Sequence, residues 1–355
     1  MQHYYFAAVN SSEGFKGYFE EIFGRADRIY VIKGGPGTGK SGFMKKIARA
    51  AEERGEAVEY YLCSSDPDSV DGILMRCGER RVGIVDGTAP HVMEPTYPGA
   101  REEIINFGEF WNSELIREQK NEIFALTNKK SDAYKRAYSY LRSCGNLRAV
   151  TDSLLRKATD FEKLQLAALR LADSLGMKRG EMESIPAIRS AVAMTGEVRL
   201  EVFENNADKV FRVGSFFGVG EWFLDALAGV LMGYEGAMRV SFDPICTHKT
   251  DGIFLENERV AFVLSGNERG KEIDGEDDRE RYINPKRFVR TDRLREVRGE
   301  LRYAARLYRD CLDGAIHALG EAKLYHFLLE DIYKNAMDFK ALNSFTANFV
   351  KNLME

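Results

Sequence analysis

The stretch RIYVIKGGPGTGKSGFMKK, from Arg28 to Lys46, constrains the fold of this chain more than any other. Ile29, Tyr30, Val31 and Ile32 are apolar or β-forming, as a buried strand requires. The next residues fit the pattern G-x-x-x-x-G-K-[ST] from Gly34 to Ser41. Phe43, Met44, Ile47 and Ala48 then fall on one face of a helix, so the order is strand, glycine loop, helix. Gly35, Gly37 and Gly39 carry no Cβ, which lets their N–H groups turn inward. With the helix N-terminus they would form a nest for phosphate. Lys40 would reach the β- and γ-phosphates, and the Ser41 hydroxyl would hold Mg²⁺.

This segment resembles the Walker A motif of P-loop nucleoside triphosphatases and kinases. The resemblance implies a parallel αβα core and a nucleotide, ATP or GTP, held with Mg²⁺. It assigns nucleotide contacts to Gly34, Gly35, Pro36, Gly37, Thr38, Gly39, Lys40, Ser41 and Gly42. No base-reading motif such as N-K-x-D separates ATP from GTP. RVGIVD, Arg81 to Asp86, reads as a strand ending in an acid and matches Walker B, whose carboxylate orients the Mg²⁺ shell. GTAPHVMEP follows, placing Thr88, His91 and Glu94 beyond that strand. His91 or Glu94 would position an attacking water, or His91 would cap a turn.

Before the Walker B strand, Val58–Leu62 reads as a strand and CSSDPDSVDG follows it. Asp66, Asp68 and Asp71 would contact Mg²⁺, a water or an acceptor substrate there, or else form an Asx-rich turn. Cys63 reads as core filler. At the N-terminus His3–Val9 reads as a short strand and Phe15–Phe23 as a short helix, with Phe15, Phe19, Ile22 and Phe23 inward.

Composition narrows the class. A net charge of −4 argues against a nucleic-acid binder driven by global charge. The five cysteines include no C-x-x-C pair, which fits reduced thiols in a cytoplasmic protein. No basic flank precedes an apolar run, and no run of about 18 apolar residues occurs, so neither a signal peptide nor a membrane span is expected.

The second half repeats the first. IINFGEF (104–110) resembles YINPKRF (282–288), an offset of 178 that reads as gapless helix. At this offset Arg117-Glu118 meets Arg295-Glu296, and Asp160-Phe161 meets Asp338-Phe339. RVAFVLS (259–265) lies under RVGIVDG (81–87), and DGIFL (251–255) under DGILM (71–75). Setting Gly218 and Gly220 under Gly37 and Gly39 puts Glu221 at the Lys40 position and Trp222 at the Ser41 position; Leu264 stands at Asp86. The second copy is therefore expected not to bind nucleotide. Through GGPGTGKS, CSSDPDSVDG and VDGTAPH the chain resembles a bacterial family of two tandem ATPase-like halves. That resemblance spans nearly the whole chain and implies ATP use.

The resulting expectation is an α/β fold with two tandem αβα P-loop NTPase-like domains, parallel sheets, and a long helical hairpin after each. The divisions are 1–111, 112–194, 195–289 and 290–355, with hairpin breaks near Gly145-Asn146 and Gly320. The arms pack on the sheets and each other, or else serve a homodimer or a protein partner. Lys129, Lys130, Lys135 and Arg136 read as a solvated stripe. Arg269, Lys271, Arg279 and Arg281 lie in a charged loop and are candidate fingers for the γ-phosphate. The function expected is Mg·ATP hydrolysis by Lys40, Asp86 and His91 or Glu94, with metal contacts from Ser41, Asp86 and, weakly, Asp66. The alternatives are a small-molecule kinase and an ATP-gated interaction module.

Overall fold

A computed structural model describes residues 3–265 and 278–354. The first half runs β1 (His3–Phe6), β2 (Ala8–Ser11), β3 (Gly14–Gly17), α1 (Phe19–Phe23), β4 (Arg28–Lys33), α2 (Lys40–Glu52) and β5 (Val58–Leu62). It continues through β6 (Val70–Cys77), β7 (Arg80–Asp86), β8 (Glu102–Asn106), α3 (Ser113–Glu118), α4 (Lys120–Arg156) and α5 (Phe161–Asp173). The second half repeats nearly all of it: β9 (Met182–Pro186), β10 (Ser190–Ala193), β11 (Gly196–Arg199), α6 (Val202–Asn206), β12 (Lys209–Gly214), α7 (Val219–Leu231) and β13 (Gly236–Phe242). β14 (Thr250–Leu255), β15 (Val260–Ser265), β16 (Glu280–Ile283), α8 (Thr291–Ala336) and α9 (Phe339–Met354) complete it.

Two six-stranded sheets have the orders β1-β5-β6-β7-β4-β8 and, read from the other edge, β9-β13-β14-β15-β12-β16. These orders are identical position by position. Both sheets are mixed, not wholly parallel as expected, because β6 and β14 run antiparallel to both neighbours. The reason is local. Gly78, at φ 64°, closes a tight turn that returns the chain directly from β6 into β7. Each sheet even keeps the same register shift, at Tyr61/Leu62 and at Ser241/Phe242.

Residues 104–110 and 282–288 are not the helix expected but in each case a strand running into a 3-10 turn. Asn106 caps one turn by accepting from the Gly108 amide, and Asn284 caps the other by accepting from the Lys286 amide. The 178-residue offset thus survives with a different local structure. Phe15 likewise lies in β3, and only Phe19–Phe23 is helical. β9 and β10 fall inside the span read as helical arm, so the second sheet begins by Met182.

The arms are single helices that run through Gly145 and Gly320 without a break. A helical glycine costs about 1 kcal/mol relative to alanine, which tertiary packing easily offsets. At Gly145 the absence of a side chain also admits Ser12. α4 and α8 lie antiparallel. Tyr140 covers Gly314, Lys129 stacks over Tyr325, and Arg136 pairs with Glu321.

The reversals after these helices send each tail to the opposite lobe. Met337 bridges Trp111, and Thr159 bridges Val289, both pairs related by the same 178 residues. The Asp338 amide donates to Phe110 O at 2.7 Å, and the Asp160 amide to Phe288 O at 2.8 Å. α9 therefore covers α2, with Leu342 and Leu353 in the core of Phe43, Met44 and Ile47. α5 covers α7, with Leu164 and Ala168 against Trp222, Phe223 and Leu227. The inner faces of the two sheets share one further core, in which Phe19 and Phe23 of α1 join Val202 and Phe203 of α6.

Candidate functional site

β4 ends at Lys33, and the loop from Gly34 leads to α2, whose N-cap Gly39 stands at φ 90°. Only glycine holds that conformation without strain. Gly37, at φ 69°, is the second such point. Thr38 is buried and its hydroxyl donates to Gly35 O at 2.8 Å, pinning the loop. Among the described hydrogen bonds, the amides of Gly35, Gly37, Gly39 and Lys40 donate to no protein acceptor. They form a set of donors with nothing to receive them.

Lys40 folds over this loop. Its ammonium donates to Gly34 O at 3.0 Å and Gly35 O at 2.6 Å, and lies 3.5 Å from Asp86 Oδ2. Asp86 closes β7, beside Ile32 of β4 in the parallel register. The Thr88 amide donates to Asp86 Oδ1 at 2.9 Å, and the Thr88 hydroxyl to Gly34 O at 3.0 Å. Ser41 Oγ accepts from the Val70 amide at 3.0 Å, which ties α2 to the start of β6. The structure thus brings Lys40 to Asp86, while Ser41 is tied to the start of β6 and Gly42 has open space around it.

It does not bring in Glu94 or Asp66. The Glu94 carboxylate is exposed and pairs with Lys33 at 2.7 Å. Asp66 faces Lys323 of α8 at 3.4 Å. His91 is buried; its Nε2 lies 3.1 Å from Asp71 Oδ2, and Phe15 and Phe19 pack against its ring. Asp71 is the second residue of β6, not part of the preceding loop. Burial raises its pKa, the charge of His91 opposes that rise, and the carboxylate of Asp86 adds to it. Cys63 stands just past β5 rather than within it. Desolvation first, and then Asp71, push its thiol well above the ordinary range.

The far arm reaches this loop, which nothing in the sequence pattern signals. A side chain at Gly35 would strike Tyr333, and one at Gly37 would meet the Glu330 backbone oxygen 2.6 Å from its Cβ. α4 also contributes. Tyr134 donates to Ser65 Oγ at 3.2 Å. One turn earlier, Lys130 is half-buried and has no hydrogen bond or ion pair among the described residues. Burial lowers its pKa, and the charge of Lys40 lowers it further. Of the basic stripe, Lys135 and Arg136 pair with Asp132 and Glu321, while Lys130 comes within electrostatic reach of Lys40.

The second lobe shows the same junction closed. α7 is capped by Gly218 at φ 104°, which sets Gly218 opposite Gly39, Val219 opposite Lys40 and Gly220 opposite Ser41. The pairing by sequence, with Glu221 at the lysine position and Trp222 at the serine, is two residues off, because this loop is two residues shorter. The shortening drives Phe216 and Phe217 to positive φ, 40° and 57°. It also consumes the donors: the Gly218 and Gly220 amides both donate to Ser215 O, at 3.2 and 2.9 Å. Glu221 points inward to a buried ion pair with Arg148. Leu264 does stand opposite Asp86, beside Val213 in the matching register. Of the candidate fingers, Arg279 and Arg281 bond to backbone oxygens of the second lobe, and Arg269 and Lys271 lie outside the described residues.

Comparison with protein-family models, with curated proteins and with solved structures gives no match for this chain. Among the described residues no helix is long and apolar enough to cross a membrane.

Proposed function

We propose that the first lobe binds a nucleoside triphosphate with Mg²⁺ and hydrolyses it, and that the second lobe binds none. One contrast carries this reading. The first loop leaves its amides without acceptors beneath a lysine, whereas the shortened second loop turns its amides onto Ser215. Donors that water or an anion must satisfy, at a helix N-terminus and beside two lysines, suit a phosphate chain.

The hard oxygen donors present, the Ser41 hydroxyl and the Asp86 carboxylate, fit Mg²⁺. When bound, the ion neutralises charge on the β- and γ-phosphoryl oxygens. In the chain itself, Lys40 exchanges Gly34 O and Gly35 O for phosphoryl oxygen. Asp86, freed of Lys40, would help hold the ion together with the Ser41 hydroxyl. Water oxygen forms a bond to the γ-phosphorus while the β–γ bridging bond breaks, giving the diphosphate and inorganic phosphate, with the water proton passing to solvent. Positioning and charge account for most of such catalysis.

A second reading, a nucleotide-gated switch with little turnover, is favoured by one observation: α8 lies directly on the loop through Glu330 and Tyr333. A change of loop shape on binding would reach the arms by that contact. Incubation with Mg·ATP alone separates the cases. Steady phosphate release that Asp86→Asn abolishes supports hydrolysis, and tight binding without release supports the switch. Release only after adding a metabolite pool indicates a kinase, and no binding at all refutes the proposal.

A further inference from the structure

Cys63, Asp71 and His91 come from three places in the first sheet: the end of β5, the start of β6 and the loop after β7. One donor atom from each lies within 4.8 Å of the other two. Asp71 and His91 are buried. His91 Nε2 faces Asp71 Oδ2 at 3.1 Å, close to the separation of two donors that each lie about 2.0–2.1 Å from one ion. Nδ1, on the far side of the ring, is buried and has no hydrogen-bond partner among the described residues.

The second lobe shows what balances the same position there. Asp251 occupies in β14 the place of Asp71 in β6, judged by the register of each strand on its neighbour. Asp251 accepts from Ser190, and the cation held against it is Arg189, fully buried and also bonded to Glu204 at 2.7 Å. The first lobe has Ala7 where Arg189 stands, seven residues into the chain and likewise just before the β2 or β10 strand. The guanidinium is gone, and in its neighbourhood stand a thiol and an imidazole.

We propose that Cys63, Asp71 and His91 bind a divalent transition-metal ion of the Zn²⁺ class. The donor set argues for that class and against Mg²⁺. A thiolate and an imidazole favour Zn²⁺, while Mg²⁺ takes oxygen ligands in octahedral geometry. Three protein donors leave a fourth tetrahedral position for water or a ligand oxygen, the pattern of reactive rather than purely structural zinc. These three ligands include neither Ser41 nor Asp86, and the proposal does not require that the loop bind nucleotide.

The test uses the full chain, stripped with chelator and dialysed against Zn²⁺, with metal counted by mass spectrometry. One ion per chain is expected. Co²⁺ in its place should give a thiolate-to-cobalt charge-transfer band in the wild-type protein, a readout that needs no variant. Cys63→Ser should abolish that band and weaken Zn²⁺ binding by more than about tenfold. Lys40→Ala, which removes none of the three proposed ligands, should retain both metal and band. Failure of wild-type protein to take up Zn²⁺, a Co²⁺ spectrum without thiolate character, or a band and stoichiometry unchanged in a folded Cys63→Ser would each overturn the proposal.

Discussion

Replacing Lys40 by alanine should remove nucleotide affinity and leave the fold standing, and the structure gives both halves of that statement a size. The ammonium donates to two carbonyls, Gly34 O and Gly35 O. Each carbonyl has a second donor, Thr88 Oγ1 on the first and Thr38 Oγ1 on the second. Neither is orphaned by the substitution, so the stability cost is about 1 kcal/mol, that of an ordinary hydrogen bond. Asp86 keeps the Thr88 amide. Binding is another matter. Two charge-assisted bonds to phosphoryl oxygen, less the two to carbonyl that must first break, leave about 3 kcal/mol, or roughly 150-fold in Kd. Titration of a fluorescent ATP analogue in Mg²⁺ at fixed salt, with a thermal melt of each protein, measures both. Equal Kd values in two proteins with equal melts would refute the assignment of the loop.

Three other outcomes follow from the same contacts. Lys130→Ala removes a half-buried ammonium that has no partner among the described residues and is repelled by Lys40; the melt should hold or rise slightly. Triphosphate binding should weaken by roughly tenfold with a shallower salt dependence, measured by the same titration at two ionic strengths. Glu221→Ala strands the buried Arg148 and should cost about 3–5 kcal/mol in chemical denaturation. It should not change a nucleotide count of one per chain, and two nucleotides on the wild-type protein would contradict the closed second loop. Glu330 is depressed from 4.5 to about 2, by the hydrogen bond from His326 first and then by Lys334, against the effect of burial. A lowered carboxylate stabilises above its unfolded pKa, and that contribution is lost as pH falls from about 4.5 through 2. Wild type should therefore lose about 2 kcal/mol more than Glu330→Gln over that range, followed by urea unfolding.

The strand, glycine loop and helix start around Gly37 and Gly39 were legible in the sequence because their geometry is local: glycines at positive φ and a helix start are set by neighbouring residues. The repeat was legible because an offset of 178 survives in long helices, where an insertion would rotate every following side chain. The loop pairing was not. In FFGVGE, glycines offer two frames, and only the helix cap shows that Gly218, not Gly220, answers Gly39. The covering of α2 by α9 was hidden for a different reason. An apolar stripe shows that a helix face is buried, not which element buries it. Asp71, His91 and Cys63 were seen one by one, and their meeting depends on β6 turning back beside β5, which the expected parallel sheet excludes.

The crossed tails have a consequence for any piece of this molecule. A first half ending near Asp173 would carry a helix shaped for a lobe it lacks, and its own Tyr30, Phe43 and Phe110 would lose the rings of Phe345 and Phe349 that cover them. Two such fragments could trade those helices and each cover the other's gap. The linker before Met182 would then be the seam of a fused pair, in which each lobe supplies the roof over the other.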